Sequence, residues 1–187
     1  MKILAVASHP DDIELGCWAT LKKLEPEVSC IERFVYGQGR GTPSDQKFDR
    51  IALKDVIQEI ETRIYSIKPD VVFTHYAYDL NRDHRIISEA TMAACRPVPG
   101  CPVKEIYQYE VPSSTEWSEK TFTPNTWVEV TDFIDKKVNV LLAFYTEMRP
   151  PPHPRSYDGV RALSVYRGQQ VGVLHAEAFI CVRRIWT

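Results

Sequence analysis

The sequence predicts an α/β fold in three layers, a mostly parallel sheet with helices on both faces. Two short apolar runs, Ile3-Leu4-Ala5-Val6-Ala7 and Val71-Val72-Phe73, read as strands buried on both sides. Between them Ile51, Leu53, Val56, Ile57, Ile60, Ile64 and Ile67 recur at helical spacing. Strands alternating with helices are the pattern of crossover units, and hence of a parallel sheet. The 187 residues, 44% hydrophobic and 26% charged, suffice for one core, so a single domain over 1–187 is expected.

In chain order, 2–8 reads as a central strand and 12–24 as the crossover helix returning from it. A second strand over 27–36 runs into Gly37-Gln38-Gly39-Arg40-Gly41, a glycine-rich loop. Its spacing is neither that of a Walker loop nor that of a dinucleotide fingerprint. A helix over 49–68 stops at Pro69, and a third strand, 70–75, ends in His75. A helix over 84–96 follows, then strands over 104–111 and 127–130. Thr131 or Asp132 can cap a helix carrying Ile134, Val138, Leu141, Leu142 and Tyr145. Pro150-Pro151-Pro152-His153-Pro154 reads as a stiff extended connector. A helix over 158–168 and a strand over 178–185 close the chain.

The formal net charge of -2, from 23 basic and 25 acidic residues, gives no electrostatic case for nucleic acid or an anionic membrane. No apolar stretch approaches the roughly 18 residues of a membrane-spanning helix. Too little precedes His9 for a signal peptide, so a cytoplasmic protein without an integral membrane segment is expected. Cys17, Cys30, Cys95, Cys101 and Cys181 are scattered and odd in number, which argues against disulfides and a zinc ribbon. They are expected as reduced, mostly buried residues.

Chemistry concentrates at two strand ends. His9, Asp11 and Asp12 follow the first strand; His75, Asp79, Asn81, Asp83 and His84 follow the third. Imidazole and carboxylate without nearby cysteine suit zinc or another borderline divalent ion. His9 and Asp12 can face one point across a tight turn, and His84 is well placed as a third ligand. Two imidazoles and one carboxylate leave a coordination position open. Asp12 as a helix cap and His9 as a hydrogen-bonded core residue are the structural alternatives.

Ala7-Ser8-His9-Pro10-Asp11-Asp12-Ile13-Glu14-Leu15-Gly16-Cys17 closely resembles the signature of the LmbE-like, or PIG-L, family of zinc-dependent N-deacetylases. Asp79-Leu80-Asn81-Arg82-Asp83-His84-Arg85 resembles that family's second motif. His153-Pro154-Arg155-Ser156, Arg167-Gly168 and Ala176-Glu177-Ala178-Phe179 resemble its C-terminal elements. The resemblance implies a Rossmann-like hydrolase that removes the acetyl group from an N-acetylated sugar or sugar conjugate. It makes His9, Asp12 and His84 the metal ligands, Asp11 the general base, and zinc the metal, with ferrous iron as the alternative. Asp83 can orient an imidazole or cap the helix. A small-molecule substrate is implied, and a homo-oligomer is left open.

Three departures mark this chain. Asn81 stands where many relatives carry a histidine assigned to protonate or stabilise the tetrahedral intermediate, and an amide cannot deliver a proton at neutral pH. His153, His75 or water would then serve as acid. Trp18-Ala19 replaces a pair of small residues. The segment after the second strand is short, leaving Arg40 as its cationic candidate for substrate contact. Hydrolysis of another small amide, a catalytically silent ligand-binding member and a non-haem iron oxygenase are the competing functions.

Overall fold

The structure, a computed structural model, describes residues 1–37 and 50–186. Arg40 and most of the glycine-rich loop lie outside the described residues.

Six strands form one sheet: β1 (Lys2–Ala7), β2 (Cys30–Val35), β3 (Val71–His75), β4 (Glu105–Tyr109), β5 (Thr126–Glu129) and β6 (Ala176–Arg184). Their spatial order is β2-β1-β3-β4-β6-β5. The first four are parallel; β6 runs antiparallel to β4 and β5 antiparallel to β6. The expected α/β sheet is therefore mostly parallel, with an antiparallel pair at one edge. β1 explains its own unbroken apolar run. Ile3, Ala5 and Ala7 enter one core with Phe73, Tyr109 and Phe179, while Leu4 and Val6 enter the other with Val72 and Ile106.

Helices α3 (Leu53–Ile67) and α4 (Arg82–Ala94) pack on the second of these faces through Val56, Ile60, Ile64, Ile87 and Ala90. Helices α1 (Asp12–Gly16), α2 (Trp18–Leu24), α5 (Ile134–Leu141) and α6 (Tyr157–Gln169) cover the side of the first.

The single helix expected over 12–24 is broken at Cys17, and the break has a packing cause. A Cβ on Gly16 would lie 2.3 Å from the Tyr109 ring, so only glycine fits there. Tyr109 is itself held by a 2.8 Å hydrogen bond to the Val6 carbonyl. At the break Lys137 Nζ donates to the Leu15 carbonyl at 2.7 Å and to Glu177 Oε1 at 2.6 Å. The Glu177 carboxylate in turn accepts from the Ala19 and Thr20 backbone N–H groups at 3.1 and 2.7 Å. A buried ion pair thus closes the orphaned ends of both short helices.

Other expectations shift for local reasons. Neither Thr131 nor Asp132 caps α5: the N-cap is Phe133, without a side-chain cap bond, and the Thr131 hydroxyl bonds Glu129. Leu142 and Tyr145, expected on this helix, lie past the end of α5 and are exposed. The proline run is not extended: His153 N donates to the Pro150 carbonyl and Ser156 N to the His153 carbonyl, folding it into turns. Only Cys17 and Cys95 are buried; the other three thiols are half-buried, and all five are free. Trp18 is absorbed by packing, buried against Ala19 and Val130. Among the described residues no helix is long and apolar enough to cross a membrane.

Candidate metal centre

From β1 the sheet continues to β2 on one side and to β3 on the other. Such a switch in direction opens a crevice beyond the strands' C-terminal ends, where α/β sheets collect ligands. His9 and Asp12 follow β1 there; His75 ends β3, and His84 lies in the first turn of α4.

Asp12 is fully buried. Its Oδ2 accepts from the His9 backbone N–H at 2.7 Å and from the Ser8 hydroxyl at 2.9 Å. Its Oδ1 faces His84 Nε2 at 3.2 Å, and both of these buried atoms lack a hydrogen-bond partner. His84 Nδ1 lies 3.2 Å from Asp79 Oδ1. Asp79 is fixed by Thr115 Oγ1 at 2.5 Å, Ser114 Oγ at 3.1 Å and the Asn81 N–H at 2.8 Å. A carboxylate behind an imidazole leaves the lone pair on the opposite nitrogen, as metal-binding histidines require. One ligand atom each from His9, Asp12 and His84 lie within 4.8 Å of one another. Two imidazoles, one carboxylate and no thiol fit a borderline divalent ion.

The charges agree with that fit. Burial works against the Asp12 carboxylate, yet His84 and His75 hold it well below the usual carboxylate range. Burial also opposes protonation of His84, but Asp12 and Asp79 outweigh it and raise that imidazole to about 9. A proton therefore stands where a cation is wanted. His75, stacked on His84 with ring centroids 4.1 Å apart, is pushed down to about 4 by burial and by His84. Neutral and fully buried, it buttresses the group and is unsuited to the role of acid.

Asp11 is buried beside this group. Burial first, then the Asp12 charge, raises its carboxyl above the usual range, and Arg155 opposes them. Arg155 Nη1 donates to Asp11 Oδ2 at 3.0 Å, while its Nε donates to the Pro112 carbonyl at 3.1 Å. This contact spans 144 positions, and an arginine in a proline-rich run carries no chemical signal of its own. The only pointer in the sequence is its place in the His153-to-Ser156 motif.

The remaining residues divide. Asp83 Oδ2 lies 3.3 Å from His9 Nε2, so the imidazole it orients is that of His9. Asp79, not Asp83, backs His84. Asn81 is the N-cap of α4, its Oδ1 accepting from the Asp83 N–H at 2.9 Å. That bond gives Asn81 a structural role. His153 lies in the turns that carry Arg155; its Nδ1 accepts from the Arg155 N–H at 3.1 Å, and its ring meets Trp117 edge-on at 5.8 Å.

A family model described as PIG-L, GlcNAc-PI de-N-acetylase, matches residues 27–95, which include His84 but not the His9-to-Asp12 motif. Over 144 residues the chain is 31% identical to an Escherichia coli (strain K12) protein, YaiS, described as an uncharacterized deacetylase; the match covers 60% of this chain and 75% of YaiS. The chain belongs to the PIG-L, or LmbE-like, family. Two solved structures show how widely this fold is shared. The 4-carboxy-2-hydroxymuconate hydratase GalB of Pseudomonas putida KT2440 superposes with a TM-score of 0.72 at 15% identity, covering 100% of this chain and 98% of that one. The N,N'-diacetylchitobiose deacetylase of Pyrococcus horikoshii superposes with a TM-score of 0.70 at 16% identity, covering 97% of this chain and 84% of that one. In this PIG-L chain the fold places the candidate centre at the β1/β3 switch point.

Proposed function

We propose that this chain is a zinc-dependent N-deacetylase that hydrolyses the acetamide of an N-acetylated sugar or sugar conjugate, with His9, Asp12 and His84 holding the ion. The observation that carries this reading is the facing pair Asp12 Oδ1 and His84 Nε2, buried, 3.2 Å apart and without hydrogen-bond partners. A bound divalent ion supplies Lewis acidity there, polarising the acetyl carbonyl and lowering the pKa of water toward neutrality.

The rest of the reaction falls to the chain's own groups. Asp11 is not among the three proposed ligands, and its raised pKa suits a base that must take a proton near neutral pH. With Oδ2 held by Arg155, Oδ1 is the oxygen that accepts the proton of the attacking water. The water oxygen bonds to the acetyl carbon, the carbon–nitrogen bond breaks, and the nitrogen leaves with a proton as the free amine. Asn81 is spent as a helix cap, and His75 is a neutral, fully buried imidazole at neutral pH. His153, bonded to the backbone of the Arg155 that holds Asp11, is the remaining imidazole for the role of acid, its ring N–H on Nε2 because Nδ1 accepts a backbone bond.

Zinc-loaded protein incubated with a panel of N-acetylhexosamine conjugates should release acetate and amine in equal amounts. Failure to release acetate from any of them would overturn the proposal. The hydratase among the structural neighbours marks a second reading, addition of water across a carbon–carbon double bond. Consumption of an unsaturated carboxylate without acetate would select it.

A further inference from the structure

Trp117 is half-exposed, at 52% of its surface, and belongs to none of the packed cores. It ends the turn that leaves β4, and that turn is tied to the proposed metal group. Ser114 and Thr115 both donate to Asp79 Oδ2, and Asp79 backs His84. The turn is tight: Ser113 adopts a left-handed φ of 71° and its N–H bonds Glu116, while Thr115 Oγ1 also accepts from the Val111 N–H. Held strain of this kind gathers where geometry matters for function. From the other side the edge-on contact with His153 joins Trp117 to the loop whose Arg155 reaches Asp11. Trp117 thus follows directly on the two residues that hold Asp79, and its indole touches the loop whose Arg155 reaches Asp11.

We infer that Trp117 is the platform on which a pyranose ring of the substrate stacks, setting the preference for saccharide over simple amides. An indole presents a negative face, and the axial C–H bonds of a sugar present a partly positive one. A rigid aromatic also offers contact area with little rotamer entropy to lose. The metal group recognises only a carbonyl, so discrimination for the sugar must come from a neighbouring surface such as this.

This inference rests on the hydrolytic reading, and the test keeps the two apart. The zinc-loaded full chain and its Trp117→Ala and Trp117→Phe variants are compared on an N-acetylated disaccharide and on N-butylacetamide. The ratio of kcat/KM for saccharide to that for the simple amide should fall about tenfold in Trp117→Ala, chiefly through KM, and recover in part in Trp117→Phe. A ratio that does not change overturns the inference and leaves the deacetylase reading standing. Calorimetric binding of the disaccharide product reads the same contact without turnover. If no substrate is hydrolysed, affinity lost in Trp117→Ala still supports the platform, and equal affinity overturns it.

Discussion

Two buried polar clusters lie within this fold, and they are finished to different degrees. Around Lys137 and Glu177 both charged groups are hydrogen-bonded: the ammonium has two acceptors and each carboxylate oxygen has a donor. The nearby Glu110–Arg167 pair is likewise bidentate, at 2.8 and 2.7 Å. Around Asp12 and His84 the bonding is incomplete: Asp12 Oδ1 and His84 Nε2 face each other at 3.2 Å as a charge pair without a well-formed hydrogen bond, and His75 Nδ1 beside them has no partner. A satisfied cluster fixes a backbone, and an unsatisfied one awaits a ligand, since each orphaned buried group costs about 1–3 kcal/mol.

The contrast can be broken most severely at Asp12. Asp12→Ala should abolish zinc binding, taking the metal content by elemental analysis from one ion per chain to near none, and activity with it. Asp11→Asn is the next largest change: zinc stays bound while kcat for acetate release falls about 100-fold or more, as for loss of a general base. Normal turnover in that variant would remove Asp11 from the role. Lys137→Met leaves Glu177 buried without its cation and should cost about 3–5 kcal/mol, read by urea denaturation, with metal stoichiometry still near one. Loss of metal in that variant would show that the two clusters are not separable.

The smallest effect concerns pH. His84 in the metal-free chain titrates at about 9, raised by Asp12 and Asp79 against burial, and the ion needs the neutral ring. Below that pH each unit should weaken zinc binding about tenfold through this proton, so a chelator competition should give tighter binding at pH 8 than at pH 7. Affinity independent of pH would mean that no proton competes with zinc at His84.

The parallel core and the two halves of the candidate metal group, each a short local stretch, were legible in the sequence. A double-buried strand writes itself as an unbroken apolar run, and His9 and Asp12 share one turn. What escaped was long-range. The helix break at Cys17 depends on Tyr109, Lys137 and Glu177, all distant in sequence. Asp79 rather than Asp83 backs His84 because the turn after β4 reaches across to hold it, a pairing that no spacing encodes. Arg155 met Asp11 only once the proline run had folded into turns.

Asn81 sets a condition on any redesign of this site. Its amide starts α4, three residues ahead of His84, so an imidazole placed at that position would strip the helix of a cap typically worth about 1 kcal/mol. A proton donor engineered there comes with a frayed helix start beside the candidate metal group, and such a variant would need a compensating cap to be judged fairly.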